Sequence, residues 1–308
     1  MTILEKQSRA YSSRQAVFNS KLKDLLLEIR PHQWVKNIFL AAGLVFSGNF
    51  TNLHMLIKVF SAISVFCLLS GSAYIINDII DLEKDRRHPQ KAYRPLASGR
   101  ISIAAAYVYA LLMVVLAGAG MILFSLGLRF ALTAACYYLL TVLYSITLKN
   151  IIFVDILTIA GGFVLRVIAG CVLVAPDISP WIVICSLLLA LFLALCKRRH
   201  ELQLLGERSG MHRIVLKMYS IEMLDQLISV TMSTIIMAYS LYTFYTGHSP
   251  MLMLTIPFVI YGLFRYLYLT HNRDIGGAPE QMFTDKPMII NFIIWSILAI
   301  IIMQFNGR

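Results

Sequence analysis

Charged residues are scarce in this sequence. They make up 14% of the 308 residues, whereas soluble domains carry about 25%. Hydrophobic residues make up 58% of the chain. This imbalance excludes an ordinary soluble domain and indicates a polytopic membrane protein.

Several chemical signatures are also missing. The chain has no Walker-type phosphate loop, no HExxH motif and no nucleophile elbow. ATP-driven transport, HExxH metalloprotease chemistry and serine hydrolysis therefore have no support. Its five cysteines lie in or beside apolar runs without metal-ligand spacing. They are interpreted as small core residues rather than as ligands or disulfides.

Long apolar runs are abundant. Runs of about 17–25 residues have the length that crosses a bilayer as a helix. About nine such spans are predicted, at 33–49, 56–78, 103–125, 130–147, 154–174, 181–196, 224–245, 251–269 and 288–305. No linker rich in Pro, Gly or Ser divides them, so residues 17–308 are predicted to form one all-α membrane domain.

The positive charge is unevenly placed. The net charge of +11 could suggest nucleic acid, but Lys and Arg crowd alternate loops, and the intervening loops 175–180 and 246–250 carry none. This is the positive-inside pattern. It predicts a multi-pass protein of the inner (plasma) membrane with a cytoplasmic N-terminus and a cytoplasmic active site, and no nucleic-acid partner.

The N-terminus divides into two parts. Residues 1–16 are a polar tail, and residues 17–30 form an amphipathic stretch. Its apolar residues share one helical face: Phe18, Leu22, Leu25, Leu26 and Ile29. The stretch suits an interfacial helix or a helix packed on the cytoplasmic side, and both interpretations stay open.

An acidic face follows the second apolar run. Asn77, Asp81 and Asp85 recur at every fourth position and therefore stack on one helical face. Their oxygens suit Mg²⁺, which commonly bridges carboxylates to a substrate phosphate. Asp78 points about 100° away and is a weaker ligand candidate. The alternative, a solvated helix end, has less support because ionisable groups at membrane depth are costly.

Fixed positive charge follows these acids. Lys91 and Arg94 lie in the next loop, where they could bind diphosphate oxygens or serve only as topology charges. Tyr144, Lys149 and Asp155 close the fourth span and open the fifth. They are predicted to form a second substrate wall, with Asp155 as a ligand or as the partner of a base.

Five further residues, at three places in the sequence, are candidate substrate contacts. Arg166 lies within a span and needs a partner; Asp155 or a substrate phosphate could supply one, and nearby glycines permit close helix packing. Gln33 and Lys36 introduce polarity at the start of the first span. Lys197 and Arg198 end the sixth span, as phosphate ligands or as positive-inside charge.

Together these motifs resemble the UbiA superfamily of intramembrane prenyltransferases. The segment from Asn77 to Asp85 matches the family's Asn/Asp-Asp-x-x-Asp-x-x-x-Asp signature. The resemblance implies helices around a central cavity that opens to the cytoplasmic face and the bilayer. It also implies Mg²⁺ at Asn77, Asp81 and Asp85, with Asp81 and Asp85 as the catalytic pair.

The second acidic motif of the family, Asp-x-x-x-Asp, is incomplete because Ile159 stands where a partner of Asp155 is expected. Other motifs resemble the decaprenyl-phosphate phosphoribosyltransferase branch. They are Arg30–Asn37, Asp85–Pro89 with Arg94-Pro95, Tyr144–Lys149, Gly162–Arg166, Lys197-Arg198 and Gly277–Glu280.

This branch implies a reaction between two phosphorylated substrates. Phosphoribosyl diphosphate (PRPP) would donate phosphoribose to a polyprenyl phosphate for lipid-linked sugar synthesis in the cell envelope. The residues implied as substrate contacts are Gln33, Lys36, Lys91, Arg94, Tyr144, Lys149, Asp155, Arg166, Lys197 and Arg198. Aromatic prenyl transfer and lipid or solute transport stay open as alternatives, as does homo-oligomer formation.

Overall fold

A computed structural model describes residues 23–46, 52–89, 91–174, 178–205, 214–245, 250–272, 282 and 284–305. Across these ranges every regular element is helical, which confirms the all-α prediction. The polar tail 1–16, the first part of the amphipathic stretch and the motif Gly277–Glu280 lie outside the described residues.

The described chain contains ten α-helices. They are α1 (Ala42–Phe46), α2 (Leu53–Ile80), α3 (Leu82–Arg86), α4 (Ile103–Leu123), α5 (Leu128–Ile146), α6 (Val154–Val174), α7 (Pro180–Leu205), α8 (Ile221–Tyr245), α9 (Ile256–Asn272) and α10 (Lys286–Phe305). Short 3₁₀-helices include Pro31–Ala41, Lys91–Tyr93, Leu148–Asn150, Ile214–Met218 and Pro250–Thr255.

Within the described residues, eight helical segments are long and apolar enough to cross a membrane. The remaining predicted span, 33–49, begins as the 3₁₀-helix Pro31–Ala41 and continues into α1. Residues 47–49 lie outside the described part of the chain. The structure thus contains eight of the about nine predicted spans as membrane-length helices, and the described part of the first predicted span is mostly 3₁₀ helix.

Polar side chains define where several helices begin. The Asn52 side chain accepts a hydrogen bond from the Met55 backbone N–H at 3.2 Å, and Ser102 does the same for Ala105 at 3.2 Å. Such N-caps satisfy donors that a helix leaves unpaired in its first turn.

The helices pack in an order that brings three segments of the chain to the end of α2. α2 packs against α4 and α5, α6 lies between α5 and α7, and α7 packs against α8. Leu25 and Ile29, from the amphipathic stretch, join the core formed by α2, α4 and the loop between them. The end of α2 therefore lies near the N-terminal stretch and the connections that follow α3 and α5.

Glycine allows the Pro31–Ala41 helix to approach α6. An ideal Cβ on Gly170 would lie only 1.8 Å from the carbonyl oxygen of Leu40, and one on Gly43 would lie 2.8 Å from Cα of Cys171. The expected close packing around Arg166 is therefore present. A backbone contact this tight leaves no room for a side chain.

We expect Gly170→Ala to lower the free energy of unfolding by about 1–3 kcal/mol or more, because backbone atoms rather than a flexible side chain must move. Thermal unfolding in detergent measures the effect. Gly118→Ala is the matched control, since nothing lies within 4 Å of the added methyl group on α4. Equal melting temperatures for the two variants would contradict the packing argument.

Candidate active site

A cluster of alternating charges lies at the end of α2. We call it the α2 charge cluster: Asn77, Asp78, Asp81 and Asp85 with Arg30, Lys91, Arg94 and Lys149. Asp81 N donates to the Asn77 carbonyl and Asp85 N to the Asp81 carbonyl, but Asp81 itself, at φ −92° and ψ 8°, separates α2 from α3. The single helical face predicted for Asn77, Asp81 and Asp85 is therefore interrupted at Asp81.

Asp78 is the buried anchor of the cluster. It is 2% exposed and binds the guanidinium group of Arg30 through both oxygens. Arg94 Nη1 lies 3.0 Å from Asp78 Oδ1, and Asn77 Nδ2 donates to the same oxygen at 3.2 Å. Because protein donors surround this carboxylate, it is poorly placed to bind a metal. The sequence also makes Asp78 a weaker ligand candidate than Asn77, Asp81 and Asp85.

Asn77 and Asp81 point toward one positive charge. Lys149 Nζ lies 2.6 Å from Asp81 Oδ2 and 3.5 Å from Asn77 Oδ1. Lys149 comes from the 3₁₀-helix Leu148–Asn150 and is 6% exposed. The two oxygens therefore converge on a point where a cation is already present.

Asp85 pairs with the loop that follows it. Arg94 Nη1 lies 2.5 Å from its Oδ2, and Lys91 Nζ lies 3.9 Å from its Oδ1. Burial raises the pKa of Asp85 above its usual value, while the charges of Arg94 and Lys91 oppose that shift. Arg94 thus joins Asp78 to Asp85 and is 26% exposed on its side chain.

The donor set fits Mg²⁺ in its chemistry. The amide oxygen of Asn77 and the carboxylates of Asp81 and Asp85 are hard oxygen ligands, and Mg²⁺ usually completes its shell with water and substrate oxygens. Among the described residues, no three acidic, His or Cys side chains already converge as a metal site. The acids face Lys149, Lys91 and Arg94 instead, so a metal would have to replace some of these contacts.

The second predicted wall is divided between two sites. Lys149 belongs to the α2 charge cluster, whereas Asp155 is fully buried and binds Arg198 Nε at 2.6 Å and the Tyr219 hydroxyl at 2.8 Å. Arg198 also donates to the Tyr144 hydroxyl at 3.2 Å. Both oxygens of Asp155 are occupied, which leaves it without an evident role as a ligand or as a partner of a base.

Arg166 forms a separate polar group inside the bundle. It donates to Asn37 Oδ1 at 2.9 Å, to the Gly162 carbonyl at 3.0 Å and to the Tyr137 hydroxyl at 2.7 Å. No carboxylate of the described residues pairs with it, so the expected ion pair with Asp155 is absent. Neutral oxygens and the face of the Tyr137 ring, 4.5 Å away, surround this charge instead.

The remaining predicted contacts lie on two elements. Lys36 Nζ donates to Gln33 Oε1 at 3.2 Å within the Pro31–Ala41 helix. Lys197 is half-buried on α7, directly before Arg198. Sequence reasoning did not select Glu28, Arg30, Tyr137 or Tyr219 as part of the site. Only Arg30 carried a signal, since it begins the Arg30–Asn37 motif.

Glu28 adds a titratable group beneath the cluster. It is 2% exposed, and its Oε2 accepts a hydrogen bond from Leu96 N at 3.4 Å. Burial, helped by the negative charge of Asp78, raises the pKa of Glu28 to about 7. The folded protein therefore retains a proton on this side chain that an unfolded chain releases at lower pH.

We expect Glu28→Gln to flatten the pH dependence of stability. The pKa of Glu28 is higher in the folded protein than in the unfolded chain. The free energy of unfolding therefore falls as pH rises from about 4.5 to about 7, and it does not recover above that value. Melting temperatures between pH 5 and pH 8 measure the change. Glu222→Gln, at an exposed position on α8, is the control; identical pH slopes in both variants would refute the prediction.

The chain is similar in sequence to known proteins over most of its length. The chain is 30% identical over 292 residues to a decaprenyl-phosphate phosphoribosyltransferase of Corynebacterium glutamicum, covering 91% of this chain and 87% of that relative. It is 32% identical over 289 residues to one of Mycolicibacterium smegmatis, covering 88% and 89%.

Solved structures show the same fold. A UbiA homolog from Archaeoglobus fulgidus bound to GPP and Mg²⁺ matches with a TM-score of 0.70 at 18% identity, covering 91% of this chain and 99% of that chain. The model of the UbiA prenyltransferase family matches residues 37–297. The chain therefore belongs to the UbiA prenyltransferase family and is a membrane-embedded transferase.

Proposed function

We propose that this protein transfers 5-phosphoribosyl from PRPP to a polyprenyl phosphate, releases diphosphate and requires Mg²⁺. The observation that carries the proposal is the α2 charge cluster, where acids suited to a metal alternate with cations suited to a diphosphate. The relatives named decaprenyl-phosphate phosphoribosyltransferase support the choice of donor and acceptor. The product would be a lipid-linked phosphoribose for synthesis of the cell envelope.

Asn77, Asp81 and Asp85 are the residues proposed to hold the metal. When bound, Mg²⁺ supplies positive charge to the diphosphate oxygens as they leave. Lys91, Arg94 and Lys149 lie within reach of the same acids. These cations are proposed to bind the phosphate oxygens that the metal does not, and so to orient the diphosphate.

The bond changes are simple. An oxygen of the lipid phosphate forms a bond to the anomeric carbon of ribose, the bond from that carbon to the diphosphate oxygen breaks, and diphosphate leaves with the electron pair. The phosphate nucleophile is already ionised and needs no general base. This agrees with Asp155, whose two oxygens are held by Arg198 and Tyr219.

The acceptor is proposed to enter from the bilayer. Lys197, half-buried on α7, is the candidate contact for its phosphate. The predicted contact Arg198 is 1% exposed and is held by Asp155 and Glu201, so it is poorly placed for that role.

A small apolar cavity of about 10 Å³ lies between the Pro31–Ala41 helix, α6 and α7, with Phe39, Phe163 and Leu193 in its wall. It has room for about one water molecule, so the polyprenyl tail is proposed to lie mainly in the surrounding lipid.

The assay uses purified protein in detergent with radiolabelled PRPP, decaprenyl phosphate and Mg²⁺. We expect a radiolabelled lipid product whose mass corresponds to phosphoribosylated decaprenyl phosphate, and its loss on addition of EDTA. A second arm offers a prenyl diphosphate and 4-hydroxybenzoate. Product in this arm alone would favour aromatic prenyl transfer, and product in neither arm would contradict both reactions.

We expect Asp81→Asn to reduce the phosphoribosyl transfer rate by about 10²-fold or more, because it removes a charged metal ligand while keeping the side-chain shape. Asp225→Asn is the matched control, since Asp225 pairs with Arg199 and does not contact the cluster. A wild-type rate for Asp81→Asn would exclude this metal site.

A further inference from the structure

Lys149 occupies the position that the proposed metal needs. Its ammonium group lies 2.6 Å from Asp81 Oδ2 and 3.5 Å from Asn77 Oδ1, and its side chain is 7% exposed. These are two of the three side chains proposed as metal ligands. A side-chain cation therefore lies at these oxygens in the structure.

A metal bonded to Asp81 Oδ2 and Asn77 Oδ1 would compete with Lys149 for the same two oxygens. It would lie next to the ammonium group, and like charges at such separations repel strongly where water is scarce. A metal at these two oxygens therefore favours displacement of Lys149. Moving a buried ammonium away from its carboxylate is costly unless another anion receives it.

A diphosphate coordinated by the metal is such an anion. It would bring negative oxygens to the metal, within reach of a lysine that has just left Asp81. Arg94 differs from Lys149, because it is also held by Asp78 and can keep that contact when Asp85 turns to a metal. Only the Lys149 contact is therefore in direct competition with the metal at both oxygens.

We propose that Lys149 is an internal counter-ion that competes with Mg²⁺ at Asn77 and Asp81 and moves to the diphosphate when both ligands bind. This inference rests on the proposed function. Its consequence is positive coupling: metal binds weakly alone and more tightly with diphosphate, and the coupling acts equally on the affinity of the diphosphate. The site would thus disfavour metal binding until the substrate arrives.

The experiment measures Mn²⁺ bound to the purified full-length protein by equilibrium dialysis, with free Mn²⁺ determined by electron paramagnetic resonance. Each variant is measured with and without methylene diphosphonate, a diphosphate analogue that cannot be hydrolysed. The affinity for Mn²⁺ is calculated from the free Mn²⁺ concentration, after allowing for the Mn²⁺–diphosphonate complex. For the wild type we expect the diphosphonate to tighten Mn²⁺ binding about tenfold, within the usual range of coupling between sites.

Removing the charge should remove the competition. For Lys149→Gln we expect Mn²⁺ alone to bind about fivefold or more tightly than to the wild type, with the coupling to diphosphonate largely lost. Lys149→Arg keeps the charge and should retain weak binding of Mn²⁺ alone. Lys58→Gln is the matched control; it removes one lysine at the other end of α2, about 29 Å from Asn77 along the helix axis, and should behave as the wild type.

A second readout protects the test against poor folding of a variant. Thermal unfolding should show Lys149→Gln destabilised in EDTA, where Asp81 has lost its cation, and rescued by Mg²⁺ alone to a greater extent than the wild type. Unchanged or weaker Mn²⁺ binding by Lys149→Gln, or no extra rescue by Mg²⁺, would overturn the competition.

The outcome separates this inference from the proposed function. A wild type that forms the phosphoribosyl lipid and binds Mn²⁺, together with a Lys149→Gln variant of unchanged Mn²⁺ affinity, would reject the counter-ion while leaving the reaction intact. A wild type that neither forms the lipid product nor binds Mn²⁺, even with diphosphonate, would reject both.

Discussion

The pairing of buried charges at the end of α2 is the constraint on which the site depends. Ionised groups removed from water are tolerated only when opposite charges and hydrogen bonds surround them. Asp78 satisfies this requirement with Arg30 and Arg94, and Asp81 satisfies it with Lys149. One helix end therefore fastens the N-terminal stretch, the loop after α3 and the connection between α5 and α6.

The same requirement separates charges that stay in place from charges able to exchange partners. Asp155 and Arg198 are 0% and 1% exposed on their side chains and are enclosed by tyrosine hydroxyls, so the pair is suited to joining α6 to α7. Asp81 is 20% exposed, and Arg94 is 26% exposed. Partial exposure gives an incoming ion or phosphate access to the α2 charge cluster, which the Asp155 pair lacks.

Arg166 shows a different solution to the same problem. Its guanidinium group is buried with Asn37, Tyr137 and the Gly162 carbonyl, all of them neutral. Hydrogen-bond acceptors and an aromatic face can stabilise a cation without a carboxylate. Asn37 belongs to the Pro31–Ala41 helix and Arg166 to α6. The close approach of these two helices at Gly170 therefore goes together with the hydrogen bond between Arg166 and Asn37.

The sequence alone determined the all-helical membrane fold, since long apolar runs leave the backbone few alternatives to a helix in lipid. It also determined that Asn77, Asp81 and Asp85 recur at every fourth position, whereas only the structure placed the break between α2 and α3 at Asp81. Tertiary structure decided the partners: Asp78 became the anchor of Arg30 and Arg94, Asp155 bound Arg198 rather than Arg166, and Lys149 came to Asp81. These pairings join residues up to 68 positions apart, and a local pattern cannot specify them because they depend on which helix ends packing brings together.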